Sequence, residues 1–433
     1  MKKTLLEKLA QPDALYRAWE QINKSNFQSK GIDGQTIEAF GASKYSVVPE
    51  IAQQLREGSY KFSGLRARPI EKGKKADGSI KWRPIQIPAV RDRVVQKAIL
   101  NVIRPDLEKA FGISKKPNSF AYIKTQRNAP SKGVPAASNT VQAHFEQGNQ
   151  WIFKGDIQGF FDAVNRDLLF EKIFGALRDE TINSLIKASF EVDTGNRQAL
   201  IELEGFSEAD LQELYPSLGT GIPQGGILSP TFSNVVLAPL DDAFIAEGFN
   251  SVRYADDFMV LAKTKAEAER AHVIARDIIQ EQLKLKLHEV SYSLSEQGKS
   301  LIAMLHNVEF LGIRHVGRHR YPAAKAFSKM TERLRGIHEQ PGSLTKKLSQ
   351  LHSLSSSWGA TYWYTSTNLP AEYRALNQEL ALAVSRIFQS YGLKFDGKLT
   401  NSRLHRLGIS LFNESVDRAK TKHQKPDEQS KTK

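Results

Sequence analysis

Residues 253–262 read RYADDFMVLA. Apolar residues on both sides of Asp256-Asp257 make this a strand, a tight turn and a second strand, with two carboxylates at the turn. Upstream, WIFKGDI (151–157) is another short apolar strand, and it ends in Asp156. Carboxylates at the ends of buried strands are costly unless something compensates them. If the two strands are neighbours, the oxygens converge and repel, and a pair of divalent cations removes that repulsion. Mg²⁺ suits such a place, because it takes a few carboxylates and fills its octahedron with water and substrate phosphates. Taken singly, an aspartate at a strand end is usually a solvated turn residue, and YADD alone is a weak signal.

Working outward, Asn165 or Asp167 caps a helix through Ile173 and Phe174. A variable stretch follows (180–215), then the loop GTGIPQGG (219–226) and a helix starting at Ser229, a good N-cap, with Pro230 behind it. A helix over 264–285 and a short strand VEFLGI (308–313) complete a β-α-α-β-β-α-β order. That order predicts an α+β domain, a small antiparallel sheet backed by helices. Toward the N-terminus, 3–22 reads as one amphipathic helix. LRARPIEK and IKWRPIQIP flank a turn at Asp77-Gly78, a helix follows from Val90 to about Phe111, and 115–150 reads as loops with short helices. Residues 325–415 carry helical periodicity, and the polar tail from Asp417 reads as disordered.

The chain has 433 residues, 61 Lys+Arg against 47 Asp+Glu, and a formal charge of +14. An excess that large favours a polyanionic partner, nucleic acid above all. Cysteine is absent, which excludes disulfides, thiol nucleophiles and Cys-type zinc sites and makes a reducing cytoplasm the expected home. The longest charge-free run, Leu214–Leu240, is broken by proline and glycine and is a poor membrane span, so no membrane partner is expected. His315 and His319 have zinc-like spacing but no acidic neighbour, so HVGRHR reads as a solvated basic face suited to phosphate.

FKGDIQGFFDAV (153–164), GIPQGGILSP (221–230) and RYADDFMVLA, in that order, resemble reverse transcriptase motifs. IEKGKKADGSIKWRPIQIP (70–88) is similar to the family's fingers segment, DRVVQKAI (92–99) to the helix after it, and VEFLGI to the hairpin after the palm. GIDGQTIEAF resembles an N-terminal element of group II intron enzymes, and the likeness spans about residues 30–315. It implies a right-hand polymerase fold: N-terminal extension and fingers at 1–150, palm at 151–322 with a fingers insert near 180–218, helical thumb at 323–416, disordered tail at 417–433.

The resemblance also implies roles. Asp156 and Asp256 would hold two Mg²⁺ ions, with Mn²⁺ able to substitute, joined by the main-chain carbonyl of Ile157 and supported by Asp257. Lys72 and Arg83 would grip the triphosphate of a dNTP, although Lys74 and Lys75 compete with Lys72. Phe161 would lie beneath the sugar and exclude a 2′-hydroxyl, with Phe160 a core residue. Gln224 and Gly225 would contact the nucleotide, Gly226 the template and Tyr254 the primer end. One departure stands out: related enzymes often carry a lysine after a Leu-x-Leu stretch, and Ser291 occupies that region here, so either Lys284, Lys286 or His288 substitutes or the assistance is absent. SSSWGATYWYT (355–365) suits either stacking on nucleic acid or helix packing.

The expected partners are an RNA template, an RNA/DNA duplex product and dNTPs. The chain stops soon after the thumb, lacks the NAxxH element of retron enzymes, and has Ser229-Pro230 where diversity-generating enzymes have Ser-Gln. This pattern resembles the antiphage defence-associated enzymes, which implies a structured non-coding RNA as template. A group II intron maturase-like or CRISPR-associated enzyme is the alternative, and a non-catalytic RNA-binding protein the alternative of another class.

Overall fold

The computed structural model describes residues 2–74, 77–123, 132–215, 219–293, 299–367, 370–393 and 399–424. They form a mixed α+β molecule with ten strands: β1 (Arg66–Lys74), β2 (Ile80–Ile87), β3 (Trp151–Gly155), β4 (Asn250–Tyr254), β5 (Asp257–Ala262), β6 (Val290–Ser291), β7 (Ser300–Met304), β8 (His306–Phe310), β9 (Ile313–Val316) and β10 (His319–Pro322). The chain divides into two compact units, 1–133 with 152–302, and 134–151 with 303–433. The helix Val134–Glu146 groups with the C-terminal part, where the Arg320 guanidinium donates to Ser138 Oγ at 3.3 Å and Asn139 Oδ1 at 2.5 Å.

In the first unit, β4-β5-β3-β7-β6 form a five-stranded sheet. β4 and β5 pair antiparallel as expected, whereas β6 and β7 run parallel, so the sheet is mixed rather than wholly antiparallel. The interior of β5 is buried along Phe258–Ala262. Gly155, at the end of β3, has a specific reason to be glycine: a Cβ there would lie 2.1 Å from the Phe258 ring. The ring fills that space and lets β3 and β5 approach.

The β1/β2 hairpin turns around Asp77-Gly78 as read from sequence, and the helix Val90–Phe111 has the expected bounds. The insert forms the helices Asn183–Ala188, Arg197–Glu204 and Glu208–Leu214, and Leu200, Phe206 and Leu211 close over Ala67 and Trp82 of that hairpin.

Several local expectations are corrected. The N-terminal helix breaks into Leu5–Leu9 and Pro12–Gln21, because Pro12 lacks an N–H and sits in the first turn of a new helix. Ser229 is the first helical residue rather than the cap, and its hydroxyl donates to the Pro223 carbonyl at 2.8 Å. Lys265–Arg276 is α-helical, but Asp277–Gln282 continues as π-helix. VEFLGI is not one strand: Leu311 and Gly312, both at positive φ, turn the chain between β8 and β9.

The second unit holds the three-stranded sheet β10-β9-β8 and a helical core around Trp358, Phe327, Tyr373 and Phe412. Packing therefore accounts for Trp358. The expected disorder from Asp417 is corrected as far as Gln424, because Phe412–Gln424 is one helix with Phe412 and Val416 buried; the rest of the tail lies outside the described residues. His315 is also not solvated. It is fully buried, neither ring nitrogen has a hydrogen-bond partner among the described residues, and burial together with nearby Arg320 lowers its pKa to about 3, so the ring is neutral. Among the described residues no helix is long and apolar enough to cross a membrane.

Candidate active site

Asp156 follows β3, and its neighbour β5 begins at Asp257. The β4–β5 turn is as tight as a hairpin allows: Tyr254 pairs with Asp257, leaving Ala255 and Asp256 as the loop. Ala255 sits at φ +58°, a conformation that disfavours a Cβ. Arg253 holds it there. Its side chain is 2% exposed, and every N–H of its guanidinium is used. Nε and one terminal nitrogen meet the two carboxylate oxygens of Asp241 at 2.7 and 2.5 Å, and the remaining donors reach Asn234 Oδ1 at 3.0 Å, Ser119 Oγ at 2.8 Å and the Ala255 carbonyl at 2.9 Å. The acidic turn thus hangs on a buried, fully satisfied ion pair. Sequence reading missed this pair; the sole signal was one charged residue, an arginine, in a short strand that is otherwise uncharged.

The carboxylates act on one another. Burial raises Asp257 to about 6, with the charges of Asp256 and Asp156 adding to the effect. Burial also raises Asp256, and Asp156 contributes, while Lys72 and Arg253 oppose. The Asp156 amide donates to Ser300 Oγ at 3.2 Å. Ile157 bridges to Leu287 through the amides of Gln158 and His288, which donate to Lys286 and Asp156, so the Ile157 carbonyl takes no part in the bridge. Among the described residues no three His, Asp or Glu side chains form a ready-made ion cage. Mutually repelling carboxylates beside a carbonyl that takes no part in that bridge nevertheless fit a hard divalent ion whose other ligands are water and phosphate.

A cavity of about 770 Å³ opens at this corner. Asp156, Ile157, Asp256, Lys72, Arg83, Phe161, Gln224, Gly225 and Gly226 all line it. Lys72 falls at the register shift between Glu71 and Gly73, and a bulge re-aims a side chain in this way. Lys72, and not Lys74, therefore faces the cavity; Lys75 lies outside the described residues. Phe160 is buried and Phe161 is half-buried, with the rings edge to face at 5.4 Å. Gly225, at φ +115°, has no room for a Cβ, which would lie 2.6 Å from the Gln86 carbonyl. Tyr254 does not line the cavity; its ring lies 6.5 Å from that of Tyr122, which does.

Of the three substitutes for the missing lysine, only His288 reaches the acidic cluster, its Nε2 3.4 Å from Asp156 Oδ2. Lys299, absent from the sequence reading, stands beside it, with Nζ 3.7 Å from the same oxygen and 2.8 Å from His288 Nε2. Nothing local marks Lys299, because only the pairing that sets β7 in the sheet brings it here.

Residues 71–315, more than half of the chain, match the family described as reverse transcriptase (RNA-dependent DNA polymerase). Protein YkfC of Escherichia coli K12 is 26% identical over 327 residues, 66% of this chain and 77% of YkfC. The group II intron-encoded protein LtrA of Lactococcus lactis is 27% identical over 234 residues, 54% of this chain, and the match spans only 34% of LtrA. Among solved structures, a telomerase from Candida albicans in complex with a TWJ fragment of telomeric RNA aligns with a TM-score of 0.43 at 10% identity, covering 89% of this chain and 64% of the telomerase. A partial Cas6-RT-Cas1–Cas2 complex aligns with a TM-score of 0.36 at 22% identity, covering 65% and 42%. With the sheet, the acidic turn and the glycine loop in place, the chain belongs to the reverse transcriptase family and has its right-hand polymerase fold.

Proposed function

We propose that this chain copies a dedicated, structured non-coding RNA into DNA at the Asp156–Asp256 corner, in the cytoplasm, as part of antiphage defence. The observation that carries the catalytic part is the adjacency of β3 and β5, which sets Asp156 against the Asp256-Asp257 turn. In this reading the first unit supplies fingers and palm and the second the thumb. Asp156, Asp256 and the Ile157 carbonyl hold two Mg²⁺ ions, Mn²⁺ being able to replace them, and Asp257 supports the cluster. What such ions supply when bound is neutralisation of charge on the attacking 3′-hydroxyl and the leaving pyrophosphate.

The chain's own residues do the rest. Lys72 and Arg83 receive the triphosphate of the dNTP, a point charge and a planar fork for phosphate oxygens. Phe161 lies under the sugar and leaves no space for a 2′-hydroxyl, so Phe161→Ala is expected to admit ribonucleotides. Gln224 and Gly225 meet the nucleotide, Gly226 the template, and Tyr254 the primer end of the RNA/DNA duplex. The net charge of +14 suits an RNA partner.

The defence role rests on the group II-like motif order with Ser229-Pro230 after the glycine loop. The identity with LtrA favours a second reading, a maturase-like role on an intron RNA. Sequencing the nucleic acid that copurifies with the protein, with and without phage, tests both. One recurrent non-coding RNA with its complementary DNA, increasing on infection, is the expected result. Intron RNA as the main cargo supports the second reading, and RNA without DNA under both conditions points to non-catalytic RNA binding.

A further inference from the structure

Asp156 is tethered through both ends of its own main chain to the segments whose side chains crowd its carboxylate. Its amide donates to Ser300 Oγ at 3.2 Å, which seats Lys299, one position earlier, at the wall of the catalytic cavity. Its carbonyl accepts from the His288 amide at 3.0 Å. The backbone thus sets an imidazole and an ammonium beside one carboxylate. His288 Nε2 lies 3.4 Å and Lys299 Nζ 3.7 Å from the same oxygen, Asp156 Oδ2. The lysine side chain is 53% exposed, and an ion pair so open to water adds little to stability. The fold does not need Lys299 at this place, so its position calls for a chemical reason.

That reason lies in the 2.8 Å contact between Lys299 Nζ and His288 Nε2. An ammonium has donors and no acceptor, so the contact requires the Nε2 lone pair, and the ring carries its proton on Nδ1. Without the ammonium, an imidazole lone pair would stand open next to a carboxylate oxygen. Such a pair suits Zn²⁺ and the ions near it in the first transition row, whereas Mg²⁺ takes oxygen ligands. The spacing suits them too. An ion bonded to both atoms at about 2.0–2.1 Å would span the 3.4 Å gap at an angle of about 110°, which is tetrahedral. An ion seated there would take Asp156 away from Mg²⁺.

We infer that Lys299 is a specificity-determining residue of the metal site: it occupies the His288 lone pair, denies the His288–Asp156 pair to transition-metal ions and leaves the corner to Mg²⁺. This deepens the proposed role of Asp156 as a Mg²⁺ ligand and rests on it. Discrimination comes from blocking the wrong ion as well as from holding the right one. Loss of a positive charge by itself favours every cation alike. The ratio of affinities for two ions, and not the affinity for one, therefore reports what Lys299 does.

The test titrates Co²⁺ into the full chain, followed by the visible absorption of the tetrahedral ion, and measures Mg²⁺ binding by calorimetry. In Lys299→Met the ratio of Co²⁺ to Mg²⁺ affinity should rise about tenfold or more over the unaltered protein, the usual scale for a change beside a metal ligand. Adding His288→Asn to Lys299→Met should return the ratio to its original value, which a purely electrostatic role for Lys299 does not give. Zn²⁺ added to primer extension with Mg²⁺ should inhibit Lys299→Met at about a tenth of the concentration that the unaltered protein withstands. An unchanged ratio in Lys299→Met, or a raised ratio that persists without His288, overturns the inference alone. No synthesis by the unaltered protein with Mg²⁺ on a primed RNA template overturns the reading of Asp156 beneath it and the inference with it.

Discussion

The hairpins β1–β2 and β4–β5 both bring charged side chains to one cavity, and they are built in opposite ways. In β4–β5 most residues are buried and the acidic turn is gripped from beneath by the Arg253–Asp241 pair. In β1–β2 most residues are exposed or half-buried, and a bulge sets the direction of Lys72. Each hairpin also leans on a buried aspartate. Asp241 is paired directly with a guanidinium, whereas Asp92, at 1% exposure beneath the entry to β1, accepts from the Tyr60 hydroxyl at 2.7 Å and the Ser63 amide at 3.0 Å, with the Arg91 charge a lesser influence. The contrast teaches what each chemistry demands. Carboxylates that must share a point tolerate little displacement and need a rigid, desolvated mount. If Lys72 and Arg83 receive a triphosphate as proposed, they do so from a solvated arm.

The largest effect expected from this division is at the acidic turn. Asp256→Asn should lower dNTP incorporation by about a thousandfold or more while RNA affinity holds, measured by primer extension beside a binding assay. Residual synthesis near the normal rate breaks the assignment. Next comes the mount. Arg253→Met leaves the Asp241 carboxylate buried without its partner and should cost about 3–5 kcal/mol, seen as a lower midpoint in urea unfolding. A loss below about 1 kcal/mol would mean that the turn stands without the pair.

Asp92 sharpens the comparison through pH. Burial raises its pKa from 3.8 to about 6. Between those values the folded protein holds a proton that the unfolded chain has released, so stability falls as pH rises through that window. The contribution is on the order of 3 kcal/mol. Asp92→Asn should remove this slope, and unfolding curves at matched pH values compare the two proteins. If both lose stability equally between about pH 4 and 6, the anchor of β1–β2 is already ionised. The smallest effect on the fold belongs to the exposed arm. Arg83→Ala should change stability by no more than about 0.5 kcal/mol yet raise the KM for dNTP about tenfold, as steady-state kinetics will report.

What could be read from sequence was whatever a short stretch fixes by itself. The acidic turn, the end of β3, the glycine loop and the Asp77-Gly78 turn each lie within a few residues, and their local chemistry names them. What escaped depends on pairing across distance. Lys299 reaches Asp156 through the placement of β7, and Asp162 meets Gln224 across a loop-to-turn contact. His315 looked solvated beside Arg314 and Arg318, but the alternation of β9 turns it inward. Gln424 closes a helix that composition alone read as a tail, because two buried apolar residues at its start outweigh the lysines beyond them.

Gly155 has a bearing on anyone who wishes to toughen this molecule against heat. Exchanging glycine for alanine inside a regular strand is a standard stabilising move, since it trims the freedom of the unfolded chain. Here the added methyl would land inside the Phe258 ring and wedge the central strands apart. The gain in melting behaviour would be sought at the spot where the distance between acidic groups is set, so an optimised library should leave this codon untouched.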